Sequence, residues 1–309
     1  MILVDLLLLI VGFAMLVKGA DWFVEGAAGI AQKFGIPQLV VGLTIVAMGT
    51  SAPEAAVSIT AALKGTADIA VGNVVGSNIL NILIILGLTG LITSVAVQKS
   101  TLFIEIPYML VVTIVLLIMG MMGNSINFVE GIILWVMFIL YLGYLLVLAK
   151  KGKQEQEVEE SRSTGKLLFY VALGGVIVVW GSNLAVDGAT ALAEVIGLSE
   201  KFIGLTIVAL GTSLPELVTS VTAARKGNAD IAIGNVVGSN IFNILFVLGT
   251  SALILPITFV PSFIVDFWVA VAAGVLLWIS TIRQKKLTRP WGIVMLIAYA
   301  AYFVYLLMQ

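Results

Sequence analysis

Residues 42–87 read GLTIVAMGTSAPEAAVSITAALKGTADIAVGNVVGSNILNILIILG, and residues 204–249 read GLTIVALGTSLPELVTSVTAARKGNADIAIGNVVGSNIFNILFVLG. The two stretches align without a gap at an offset of 162 and are identical at 34 of 46 positions. The same offset pairs Gly19 with Gly181, Glu25 with Asp187 and Gly26 with Gly188. The chain is therefore one unit written twice. Near-identity is concentrated in these polar cores, while the flanking apolar segments diverge. That distribution argues for a shared working part rather than simple duplication of a packing unit.

Outward from the repeat the sequence is apolar. Of 309 residues 61% are hydrophobic and 11% charged, and the mean hydropathy is +1.16. Soluble domains carry about 25% charge, so composition alone predicts an all-α integral membrane protein partnered by the lipid bilayer. Long apolar runs rather than ten-residue alternating strands exclude a barrel. The apolar runs place spans at about 2–19, 36–62, 69–92, 102–121 and 127–149, then 167–185, 196–224, 231–254, 262–282 and 290–308. Asp5 and the absence of a basic leader make the first run a span rather than a signal peptide. The organisation expected is a first five-helix repeat over 1–149, a solvated cytoplasmic linker at 150–166, and a second repeat over 167–309.

Charge orients the spans. Of the 16 Lys and Arg residues, all but Lys64 and Lys201 fall at or near one side when the linker is cytoplasmic, as the positive-inside rule requires. Both termini are then extracytoplasmic, in a multi-pass protein of the cell (inner) membrane. Five is odd, so the second repeat enters from the opposite face. Inverted-topology repeats are a secondary-transporter architecture, with the site near the midplane on interrupted helices. Thr50-Ser51-Ala52-Pro53-Glu54 and Thr212-Ser213-Leu214-Pro215-Glu216 supply the interruptions in the second and seventh helices. Proline has no N–H to donate. Pro53 should free the carbonyl of Gly49 and loosen those of Ala47 to Thr50, and Pro215 those of Ala209 to Thr212.

Chemistry follows by elimination. With no Cys and no His, thiolate catalysis, soft-metal sites and the usual catalytic base are absent. A net charge of −1 without a basic stripe speaks against nucleic acid. What remains is oxygen. Glu54 and Glu216 lie mid-span with no Lys or Arg at matching depth, and a carboxylate there costs roughly 2.5–3.5 kcal/mol. Asn73, Ser77 and Asn81, and again Asn235, Ser239 and Asn243, fall at i, i+4 and i+8 on one helix face, expected to line a cavity opposite the broken helices. Gly72 with Gly76, and Gly234 with Gly238, form small-xxx-small pairs for close packing. Hard oxygen ligands suit Ca²⁺ or Na⁺ better than Mg²⁺ with its demand for a rigid octahedron. Two carboxylates neutralise one Ca²⁺ or two Na⁺. A third Na⁺ in a carbonyl and hydroxyl site would make exchange electrogenic.

At these residues the chain resembles the cation/Ca²⁺ antiporter superfamily, in its prokaryotic Na⁺/Ca²⁺ exchanger branch. Both G-T-S-x-P-E motifs and both G-N-x-x-G-S-N-I-x-N motifs are complete, and the resemblance covers essentially the whole chain. It implies that Glu54 and Glu216 bind Ca²⁺ with backbone oxygens of Thr50 and Thr212. It implies Na⁺ sites around Ala47, Thr50, Ser51 and Ser77 and around Ala209, Thr212, Ser213 and Ser239. It also implies that Asn81 fills the family's central polar position, and that the first and sixth helices slide as a gating pair. Asn243 stands where some members carry Asp, which weakens any case for K⁺ dependence. The expectation is a Na⁺/Ca²⁺ antiporter, not an enzyme, without cofactor, nucleic acid or obligate protein partner. An H⁺/Ca²⁺ antiporter is the nearest alternative, because Glu54 and Glu216 could carry protons. A K⁺-dependent exchanger or a Ca²⁺ channel is more remote. A hydrolase is opposed by the missing G-x-G-D motif and the missing His.

Overall fold

A computed structural model describes residues 2–65, 68–151, 163–195, 209–259 and 263–308. Residues 152–162 of the expected 150–166 linker and the start of the seventh span from 196 to 208, with Lys201, lie outside the described residues. In chain order the helices are α1 (Ile2–Phe34), α2a (Gln38–Thr50), α2b (Ala52–Leu63), α3 (Ile69–Ile92), α4 (Thr101–Gly123) and α5 (Phe128–Lys151). The second half gives α6 (Thr164–Val195), α7a (Ala209–Thr212), α7b (Leu214–Arg225), α8 (Ala229–Ile254), α9 (Phe263–Ile282) and α10 (Arg289–Leu307). Among the described residues eight helices are long and apolar enough to cross a membrane. The pair α2a and α2b, bent by 52°, makes a ninth. The chain is a multi-pass membrane protein.

The first and sixth helices are longer than their apolar runs suggested. Lys18, Asp21, Glu25 and Lys33 end the hydrophobic stretch of α1 but not the helix, because Lys and Glu are good helix formers. The stop comes at Gly35, whose φ of 61° gives a left-handed cap. The Ile36 N–H then closes on the Ala31 carbonyl at 2.8 Å. Pro37 follows.

α1 and α6 are repeat equivalents and run antiparallel along each other. Gly12 faces Gly181, Gly19 faces Gly174, Gly26 faces Leu167, and Gly188 faces Asp5, so numbers fall in one helix as they rise in the other. Equivalent helices that run in opposite directions are the geometrical signature of an inverted repeat. Gly12, Gly19 and Gly26 recur every seven residues, as do Gly174, Gly181 and Gly188, which keeps them on one seam. A Cβ on Gly12 would lie 2.5 Å from the Ala185 nitrogen and 2.7 Å from the Gly181 oxygen. The two backbones therefore touch, as small-residue seams permit in lipid.

Two short ladders repeat the same symmetry outside the helices. β1 (Val95–Ala96) pairs antiparallel with β4 (Lys286–Leu287), and β2 (Ser125–Ile126) with β3 (Ile257–Thr258). Each ladder ties a loop of one half to a loop of the other.

The motif helices form the centre. Of the most apolar stretch of α8, 94% is buried, and 72% of α3, against 17% for α1 and 11% for α10. Ile133, Leu140 and Leu146 on α5 and Ile297 and Val304 on α10 are exposed large hydrophobics on the outer surface, the natural face for lipid tails. The expected close packing of Gly234 and Gly238 is present: a Cβ on Gly238 would meet Leu43 Cα and Ala47 Cβ at 2.8 Å. α8 thus lies against α2a. The residues of the second half equivalent to 39–46 of α2a are 201–208, which lie outside the described residues.

Candidate ion-binding site

Both broken helices turn at the serine of the motif. Ser51 has φ −81° and ψ 9°, and Ser213 has φ −91° and ψ 3°, each a single non-helical residue between helical ones. Proline follows two residues on, at a position where a helix start needs no N–H. Glu54 and Glu216 sit in the first turns of α2b and α7b and are fully buried. A helix start favours negative charge by its dipole, so each carboxylate lies where the backbone supports it.

The carbonyl expectation is partly corrected. Ala47 O, expected to be loosened, keeps its helical bond: it accepts the Ser51 N–H at 3.0 Å, and also the Thr50 hydroxyl at 3.3 Å and the Ser239 hydroxyl at 3.4 Å. One carbonyl that Pro215 should free, Gly211 O, is instead taken by the Ser182 hydroxyl of α6 at 2.7 Å. The repeat equivalent of Ser182 is Ala20, which has no hydroxyl to offer Gly49. A second asymmetric contact joins Lys226, after α7b, to Asp21 of α1. Its ammonium lies 3.0 Å from the carboxylate and donates to the Asp21 carbonyl at 3.0 Å.

The two motifs interlock. The Ser51 hydroxyl donates to Glu216 Oε1 at 2.8 Å, and the Ser213 hydroxyl donates to Glu54 Oε1 at 3.2 Å. Each repeat thus holds one oxygen of the other repeat's carboxylate. The remaining oxygens, Glu54 Oε2 and Glu216 Oε2, are buried with no hydrogen-bond partner. So is the Thr212 hydroxyl. Thr50 is buried, and its hydroxyl bonds to Asn235 Oδ1 at 2.9 Å.

The polar faces of α3 and α8 divide into two jobs. Asn73 was expected in the cavity lining. Its amide is instead spent on α2b, donating to Ser58 Oγ at 2.9 Å and to the Glu54 carbonyl at 3.3 Å. Asn235 does the same with Ser220 at 2.8 Å and the Glu216 carbonyl at 3.3 Å. These residues brace the glutamate helices. Ser77 and Ser239 are buried. Asn81 and Asn243 each open a π-helical turn and are fully buried. Such turns widen a helix and are frequent at functional sites. Ala209 opens α7a, but its side chain and surroundings lie outside what is described.

Asn78 and Asn240 are the residues that motif reading passed over. The Asn78 amide donates to the Asn240 carbonyl at 3.1 Å, and the Asn240 amide donates to the Asn78 carbonyl at 3.1 Å. Their numbers differ by 162, the repeat offset. A residue that bonds its own counterpart must lie on the axis relating the two halves, so this pair marks the two-fold. From the pair, Asn240 Oδ1 accepts the Asn81 amide at 2.9 Å and Asn78 Oδ1 accepts the Asn243 amide at 3.2 Å. Both amide nitrogens of the second asparagines are thereby turned away. Their oxygens, Asn81 Oδ1 and Asn243 Oδ1, are left buried without partners. The signal lay in the motif, where Ser-Asn precedes the expected Asn by three residues.

Asn78→Ala removes the acceptor of Asn243 and the bond that the Asn78 amide donates to Asn240, while the Asn78 carbonyl still accepts the Asn240 amide. A buried donor left unsatisfied costs about 1–3 kcal/mol. The variant is expected to melt several degrees lower, measured as the unfolding temperature of purified protein. An unchanged melt would remove the asparagine pair from the account of how the halves are held.

Four buried acceptor oxygens, from Glu54, Glu216, Asn81 and Asn243, thus have no hydrogen-bond partner, and they form two pairs related by the repeat. Acceptors without donors suit a cation. Two carboxylates and two amide oxygens, with the Thr212 hydroxyl, are hard ligands for Ca²⁺ or Na⁺. Buried acceptor oxygens set where the broken helices of an inverted repeat meet are the arrangement expected of an ion carrier of the secondary-transporter class.

Sequence comparison narrows the class. The pattern described as sodium/calcium exchanger protein matches residues 4–147 and 166–308, and the chain belongs to that family. The chain is 35% identical over 350 residues to the sodium/calcium exchanger MaX1 of Methanosarcina acetivorans, covering 99% of each chain. It is 41% identical over 262 residues to the inner membrane protein YrbG of Escherichia coli, covering 81% of this chain and 79% of that one. A solved structure of the sodium-calcium exchanger NCX_Mj, soaked with 2.5 mM Na⁺ and 10 mM Sr²⁺, superposes with a TM-score of 0.86 at 32% identity, over 98% of this chain and 99% of the other.

Proposed function

We propose that this chain exchanges Na⁺ for Ca²⁺ across the inner membrane by alternating access, with both termini outside the cytoplasm. Residues 1–149 and 167–309 act as the two repeats and 150–166 as their link. The observation that carries the reading is the interlock of Ser51 with Glu216 and Ser213 with Glu54, which leaves one oxygen of each glutamate open to an ion. Glu54 and Glu216 hold Ca²⁺ with Asn81 and Asn243. Na⁺ enters around Ala47, Thr50, Ser51 and Ser77 and around Ala209, Thr212, Ser213 and Ser239. Three Na⁺ for one Ca²⁺ moves one net charge per cycle. The family membership, the relative named as an exchanger and the relative named as an inner membrane protein support this reading.

Proteoliposomes loaded with Na⁺ and diluted into Na⁺-free buffer, with pH clamped by ionophore, are expected to take up ⁴⁵Ca²⁺. Uptake should collapse when choline replaces the internal Na⁺. A K⁺-selective clamp of the membrane potential should change the rate. Uptake indifferent to Na⁺ and driven by an imposed proton gradient would replace this reading with H⁺/Ca²⁺ exchange.

A further inference from the structure

A second buried carboxylate lies away from the centre. Glu105 is fully buried at the end of the π-helical turn Thr101–Glu105 that opens α4. The Tyr144 hydroxyl from α5 donates to Glu105 Oε1. Trp278 of α9 takes the Leu102 carbonyl of the turn at 2.8 Å. No Lys or Arg among the described residues pairs with Glu105. Its other oxygen, Oε2, has no hydrogen-bond partner.

Three hydroxyls surround that carboxyl and complete no bond. Ser100 and Thr101 reach toward it from its own turn, and Tyr141 lies beside it from α5, stacked on Tyr108 at 5.3 Å. Ser100 Oγ, Thr101 Oγ1 and Tyr141 Oη are all buried and unpartnered. By the ends of α4 and α9 the repeat offset has dropped to 161, where Asn124 and Lys285 share a positive φ, and this offset sets Asp266 of α9 against Glu105; the second half handles that acid differently. There Tyr302 closes on Asp266 at 2.8 Å, and neither side chain leaves a buried oxygen orphaned. A proton on Glu105 would join two oxygens. Four buried oxygens lie about one carboxyl with no hydrogen bond completed among them, a set that one cation would join, and buried charges are paired or coordinate metals.

We propose that Glu105, with the hydroxyls of Ser100, Thr101 and Tyr141, forms a peripheral site for a single monovalent cation, Na⁺, separate from the central glutamates. One carboxylate neutralises one monovalent ion, whereas a divalent ion would keep an uncompensated positive charge in a buried site. The site lies close to the basic side of the membrane. Lys99 is six residues before Glu105, and Lys150 is six after Tyr144, about 9 Å along a helix.

The test uses the full chain with the central charges removed. The Glu54→Gln/Glu216→Gln double variant is melted in NaCl and in choline chloride of equal ionic strength. The double variant is expected to melt about 3 °C or more higher in NaCl, and adding Glu105→Gln should abolish that difference. Tyr141→Phe, which keeps the carboxylate, should raise the Na⁺ concentration needed for half the shift about tenfold. A Na⁺ shift that is absent from the double variant, or that survives Glu105→Gln, overturns the proposal. So does a stabilisation that appears only on acidifying in choline and vanishes with Glu105→Gln, since a proton then fills the site. A Tyr141→Phe response identical to the double variant's removes the tyrosine from the ligand set and overturns the site as drawn. None of these results depends on whether Ca²⁺ transport is coupled to Na⁺ or to protons.

Discussion

Replacing Glu54 by Gln, or Glu216 by Gln, is expected to abolish Ca²⁺ uptake into proteoliposomes while leaving the protein folded. Each glutamate gives one oxygen to a serine of the other repeat and keeps one open. Gln preserves the shape and the acceptor that the serine needs, so the interlock survives. What is lost is charge. A divalent ion would enter a fully buried site with one of its two positive charges uncompensated. Breaking a buried charge pairing costs about 3–5 kcal/mol, and 1.4 kcal/mol is tenfold in affinity. Apparent Ca²⁺ affinity should therefore fall at least about 100-fold in either single variant. Symmetry sharpens the test: the two variants should fail alike. Near-normal uptake in both would remove the glutamates from the ion path, and failure of only one would show that a single carboxylate carries the divalent ion.

The second large effect is expected from the smallest possible substitution. Gly12→Ala places a methyl group 2.5 Å from the backbone nitrogen of Ala185 and 2.7 Å from the carbonyl of Gly181. These are backbone atoms of α6, so the methyl cannot be accommodated by a rotamer change. The helices must separate or shift. Overpacking in a tight interface costs about 1–3 kcal/mol. The two helices are also the pair expected to move together during transport. Exchange rates in vesicles should fall about tenfold or more. Gly143→Ala is the control. A Cβ there meets nothing within 4 Å, and alanine favours a helix over glycine by about 1 kcal/mol. Wild-type exchange by Gly12→Ala would mean that the seam is looser than its contacts require.

Much of this architecture was written in the two motif copies. The offset of 162, the odd number of spans and the prolines give the inverted repeat, the break points and both central glutamates. Other features resisted reading for physical reasons. Charge at Lys18, Asp21 and Glu25 ends an apolar run without ending a helix, so α1 and α6 were drawn too short. Amide direction is invisible in sequence. Asn73 and Asn81 share a helix face by spacing, yet Asn73 braces Ser58 while Asn81 donates to Asn240 and leaves its oxygen buried without a partner. Nothing in the motif sets Asn78 apart from its neighbours, because what distinguishes it is the bond to its own counterpart across the two-fold. Glu105 was hidden because its mate in the second half is an Asp with a closed tyrosine contact, so the repeat did not point to it. The π turns have no sequence signature here.

Ser182 on Gly211, with Ala20 opposite Gly49, and Lys226 on Asp21 make the two halves energetically unequal. A carrier whose halves were interchangeable would present the same apparent affinity to either compartment. Contacts made in one facing and broken in the other tilt the resting distribution, and the fraction of molecules open to a given side scales the apparent affinity measured there. Such a molecule fills at different ion concentrations from its two faces. It cannot rectify, however. The gradient at which net flux reverses is fixed by the ion ratio alone, and no contact within the protein can move it.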